Sequence, residues 1–69
     1  MIEVFKTDVQ ERAQAANLLA LLREQFPASR INFDLDDCDR ILRVEGHDFN
    51  PEDLISTLQQ NGFYCEVLE

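Results

Sequence analysis

Residues 2–7 (IEVFKT) alternate loosely between apolar and polar positions and are rich in branched and aromatic side chains, which predicts a first strand. Thr7 and Asp8 are both good N-caps, and Glu11 stands three residues after Asp8, the spacing of a capping box, so a helix is expected to start here. It continues through ERAQAANLLALLREQF, where Ala15, Leu18, Leu19, Leu22 and Phe26 recur at helical period, and Pro27 ends it. Ile31, Phe33 and Leu35 then alternate with Asn32 and Asp34 as a strand with one buried and one wet face. After the polar break DDCDR, Leu42 and Val44 alternate with Arg43 and Glu45, so the second and third strands form a hairpin, closed by Gly46.

The second helix carries the most local punctuation. Asn50 is placed to cap it, Pro51 takes its first position, and Asp53 adds to an acidic first turn. Phe49 and Leu54 have the spacing of a hydrophobic staple, Leu54, Ile55 and Leu58 form the inner face, and Gly62 supplies a left-handed residue at the end with Phe63 set to contact Leu58. Phe63, Cys65 and Val67 alternate with Tyr64 and Glu66 as a last strand. The order β-α-β-β-α-β is the split βαβ arrangement, an α+β, ferredoxin-like sandwich. Right-handed crossovers give strand order 4-1-3-2, with both helices on one face of a four-stranded antiparallel sheet. Residues 1–69 read as one domain, in which Leu22, Phe33, Leu58 and Val67 should be buried together.

This topology collects the end of the first strand, the hairpin turn and the start of the last strand at one end of the sheet. Asp8, Glu11, Asp36, Asp37 and Asp39 should make that end acidic, with Cys38 among them and His47 at the opposite end. Ile41, Tyr64, Phe5 and Leu68 are expected on the uncovered face, where they could form a docking surface.

Six Lys and Arg against 14 Asp and Glu give a net charge of -8, which opposes nucleic acid and anionic membrane surfaces as partners. No apolar run is long enough to span a bilayer, and the first residues are too polar for a signal peptide, so a cytoplasmic protein is expected. The two cysteines, Cys38 and Cys65, are expected as reduced thiols, too far apart to bridge.

The stretch DLDDCDR, residues 34–40, invites a metal reading. It lacks the glycine and the distant glutamate of a calcium loop, and zinc would need about four nitrogen or sulfur ligands where the chain offers two separated cysteines and His47. The low-ranking candidates for a metal are Cys38, Asp36, Asp37 and Asp39, and the main expectation is that none binds. A thiol among aspartates is held protonated and solvated carboxylates make poor general acids, so no catalytic residue and no cofactor is expected.

The stretch VEGHDFNPEDLISTLQQNGFYCEVL resembles the second half of a heavy-metal-associated domain of the copper-chaperone-like family, and INFDL resembles that family's second strand. Members that carry soft metals have a GMTCxxC-like loop after the first strand, because paired thiolates hold Cu(I) or Zn. Here the stretch reads TDVQERAQA, with Val9 in place of the loop methionine and Glu11 and Gln14 in place of the two cysteines. The early capping signals further imply that the helix begins sooner and the loop is lost. The resemblance thus implies the family's fold without its metal motif. A non-enzymatic domain is expected, partnered by an unidentified protein or by further copies of itself; the alternative is residual Cu or Zn binding through Cys38 and neighbouring acids, also in a dimer.

Overall fold

The computed structural model describes residues 1–36 and 40–68. Six elements follow in order: β1 (Ile2–Thr7), α1 (Arg12–Gln25), β2 (Arg30–Asp34), β3 (Ile41–Glu45), α2 (Pro51–Gln60) and β4 (Cys65–Val67). The strands form one antiparallel sheet in the order β2-β3-β1-β4, the ferredoxin-like α+β arrangement expected from the pattern.

Register sorts the side chains into two faces. Phe5 lies opposite Leu42 and Val67, Leu42 opposite Phe33, and Val44 opposite Ile31, so these residues share one side of the pleat. Both helices cover that side. Leu22 of α1, Leu54 and Leu58 of α2, and Phe49 join Phe5, Ile31, Leu42, Val44 and Cys65 in the main core. A smaller cluster of Val9, Ala15 and Leu18 lies under the start of α1, with Phe33 and Phe63 packed against both clusters.

α2 is built as its sequence signals require. The Asn50 carboxamide oxygen accepts from the Glu52 N–H at 3.0 Å, Pro51 opens the helix, and Phe49 and Leu54 are both buried. At the other end Gly62 has φ 87°, the Gly62 N–H donates to the Gln59 carbonyl at 3.0 Å, and the Phe63 N–H donates to the Leu58 carbonyl at 2.9 Å. This is a Schellman stop. It also removes Phe63 from the last strand, which starts only at Cys65. Between the helices, the buried Thr57 hydroxyl lies 2.7 Å from the Gln25 carboxamide oxygen and 3.0 Å from the Asp53 carbonyl.

α1 begins later than the capping signals suggest. Glu11, not Thr7 or Asp8, is its N-cap, in a reciprocal box with Gln14, whose side-chain oxygen accepts from the Glu11 N–H at 3.2 Å. Thr7 and Asp8 are engaged by distant partners, as described below, and the connection at residues 8–11 is retained. Three expected side-chain positions also change. Phe5 is fully buried on the helix-covered face, not on the uncovered one. Ile2 and Val4 are apolar at one parity of β1 and Phe5 at the other, and the ring between Leu42 and Val67 is the one that fills the core. Ile41 does stand on the uncovered face, but on an inner strand directly between Lys6 and Asp34, and only 5% of it is exposed. Val67, expected in the core, is 36% exposed, because three-residue β4 is an edge strand. Leu22 and Leu58 are fully buried as expected, while Phe33 is half-buried.

Candidate functional site

The end of the sheet where β1 stops is tied together by two side chains. The Thr7 hydroxyl donates to the Arg40 carbonyl at 2.6 Å and accepts from the Val9 N–H at 3.3 Å. The Asp8 carboxylate accepts the Tyr64 N–H at 2.8 Å, anchoring the start of β4. Arg40 holds a left-handed backbone, φ 49°, and its guanidinium donates to the Leu35 carbonyl at 2.9 Å, bracing the hairpin. The hairpin, β1 and β4 therefore meet at one end, and Asp8, Glu11 and Asp36 are all exposed there. Asp37, Cys38 and Asp39, the other candidates of DLDDCDR, lie outside the described residues.

Val9, Glu11 and Gln14, which the resemblance would set at a metal loop, are otherwise engaged. Val9 is fully buried in the small cluster, and Glu11 and Gln14 cap α1 through each other's backbone. Among the described residues no group of three or more His, Cys, Asp or Glu is placed to hold a metal ion. His47 is exposed at the far end, where the neighbouring Gly46 N–H reaches the Met1 carbonyl at 2.9 Å.

Cys65 is a free thiol, 4% exposed, on the helix-covered face of β4. Burial, helped by the adjacent Glu66 carboxylate, pushes its pKa up to about 12. A thiol so held stays protonated at neutral pH and serves neither as nucleophile nor as metal-binding thiolate.

Of the four residues expected on the uncovered face, three lie there, Ile41 sheltered on its inner strand and Tyr64 and Leu68 at the β4 edge, and Phe5 does not. Tyr64 and Leu68 are exposed, and Leu68 lies beside Val4, to whose carbonyl its N–H donates at 2.8 Å. Ile2 joins them as the most exposed large apolar side chain among the described residues. Met1 and Val67 are exposed on the other side of the pleat, so every exposed large hydrophobic described except Leu21 belongs to β1, β4 or their flanks, but not all to one face. A hydrogen bond with Glu66, two residues on along the same face, raises the Tyr64 phenol above its ordinary value.

A second surface feature lies at the opposite edge. α1 and β2 bound a groove of about 300 Å³, floored by Ala15, Ala16, Leu19, Phe33 and Leu35, with Arg12, Asp34 and Asp36 at its rim. Sequence reasoning missed it, although the strand order already made β2 an edge. Among the described residues no helix is long and apolar enough to cross a membrane. Comparison of the chain with family models, with curated proteins and with solved structures finds no match.

Proposed function

We propose that this chain is a non-enzymatic, cytoplasmic interaction domain, akin to heavy-metal-associated domains but without their metal centre, which docks a protein on the β1–β4 half of its sheet. The exposure of Ile2 and Leu68 at diagonal positions of one sheet face, with Tyr64 farther along the same face, carries this reading, because large apolar side chains left in water on one face are better explained by a partner than by the fold. The engaged positions Val9, Glu11 and Gln14 and the sheltered Cys65 thiol support it from the other side, since they leave no evident reactive centre among the described residues.

Affinity capture with the wild-type chain and with Tyr64→Ser/Leu68→Ser tests it, followed by titration of the purified partner into isotope-labelled domain. The expected result is a partner lost with the double substitution and amide shifts centred on Ile2, Tyr64 and Leu68. A partner that binds both forms equally, or shifts confined to other surfaces, would overturn the assignment.

A further inference from the structure

We infer that β2 pairs with β2 of a second copy of the chain, antiparallel and centred on Asn32, joining two four-stranded sheets into one. β2 is bonded to β3 on one side only, and no strand of the described residues covers its other edge. Such an edge is a template for strand addition unless it is blocked. Its sequence, Arg30-Ile31-Asn32-Phe33-Asp34, is complementary to itself when reversed. Antiparallel pairing about Asn32 sets Arg30 opposite Asp34, Ile31 opposite Phe33, and Asn32 opposite Asn32, with each relation repeated by the two-fold axis.

Other registers lose this match. Parallel pairing opposes Arg30 to Arg30 and Asp34 to Asp34. A slip of one residue sends the apolar side chains to the wrong face. A slip of two leaves either Arg30 or Asp34 without a facing residue inside the strand.

The surroundings extend the match on both faces. Within one copy Asp34 neighbours Ile41, Ile41 neighbours Lys6, and Lys6 neighbours Glu66, while Arg30 neighbours Glu45. Across the joint this row reads Glu66, Lys6, Ile41, Asp34, then Arg30 and Glu45 of the second copy, and the charges alternate in sign throughout. On the helix side, pairing sets half-buried Phe33 against Ile31 of the second copy and brings the two α1–β2 grooves together, so that Ala16 and Leu19 face apolar surface instead of water. The net charge of -8 on each copy opposes association, so the dimer is concentration-dependent. A foreign strand would have to reproduce the same reversed order of charges, which a second copy carries by construction. This surface is on the opposite edge from Tyr64 and Leu68, so it and the proposed docking face can fail separately.

Charge reversal in sedimentation equilibrium from about 10 µM to about 1 mM protein tests the pairing. Wild type should dimerise within that range. Arg30→Asp and Asp34→Arg should each weaken association about tenfold or more, since each turns two attractive pairs into two repulsive ones, and the double variant should recover it. Circular dichroism melts check that every variant folds. As a second readout, Asn32→Cys in a Cys38→Ser background should oxidise to a covalent dimer, because directly opposed Cα atoms lie about 4.5–5.5 Å apart, within disulfide reach. Exposed Ser56→Cys on α2 in the same background should not. A wild type that stays monomeric, folded variants whose double reversal does not recover association, or an Asn32→Cys thiol that cross-links no faster than Ser56→Cys would each overturn the inference.

Discussion

Alkali should destabilise this domain through one side chain. The Cys65 thiol has a pKa of about 12 in the fold against 9.0 as an ordinary thiol, so below pH 9.0 it is protonated in both states and the folded chain keeps its full stability. As pH rises further the unfolded chain releases the proton while the folded chain retains it, and stability falls until the folded thiol also ionises near 12. At about pH 10.5 the unfolded thiol is roughly one and a half units past its midpoint, which removes about 2 kcal/mol; the ceiling, reached at higher pH, is about 4 kcal/mol. The smaller figure depends almost wholly on the unfolded thiol, because the folded one is still protonated at that pH. Urea unfolding of the Cys38→Ser domain and of its Cys65→Ala derivative, followed by circular dichroism between about pH 8 and about pH 10.5, isolates the effect. Replacing Cys65 removes some core packing at every pH, but it also removes the titrating group. The stability advantage of the form that keeps Cys65 over its Cys65→Ala derivative should therefore shrink by about 2 kcal/mol across the range. A pH-independent gap would refute a thiol held protonated by burial.

Leu58→Ala should cost about 2–5 kcal/mol in the same unfolding assay, since Leu58 is fully buried between the main core and the Phe63 stop; a loss below about 1 kcal/mol would contradict that packing. The chain has one tyrosine and no tryptophan, so phenolate absorbance reports Tyr64 alone: its midpoint should lie above 10.0 and fall in Glu66→Ala, and an unchanged midpoint would mean that Glu66 does not hold the phenol. Reduced protein titrated with Cu(I) or Zn against a chelator should give the same weak affinity before and after Cys38→Ser, whereas tight binding lost with Cys38 would restore a metal role to that segment.

The parts of the fold that were legible in the sequence are those fixed by neighbours in the chain. Asn50, Pro51, Gly62 and Phe63 act within a turn of themselves, and α2 follows them closely. The start of α1 depends on residues 33 and 56 positions away, which take the Thr7 hydroxyl and the Asp8 carboxylate out of competition for the helix cap. Nothing local to TDVQE announces that. Phe5 was equally hidden, because β1 is apolar at both parities and only the register with Leu42 and Val67 decides which side faces the helices. The candidate site divides in the same way. Tyr64 and Leu68 could be placed by alternation alone, whereas Ile41 is sheltered by its position on an inner strand. The reversed complementarity of RINFD was present in the letters throughout, but it acquires meaning only once β2 is known to be an edge.

The brevity of β4 has a consequence for growth as well as for shape. A sheet with two bare edges can add copies head to tail into a ribbon without end, whereas an edge that matches only itself closes after a single addition. At the far side of this sheet, β4 is three residues long, and because the Leu68 N–H turns inward to Val4, alternation leaves only the Cys65 and Val67 amides facing outward. That side offers an arriving strand little to hold, so the shortness of β4 would make the assembly inferred through β2 a finite event and not the first step of a filament.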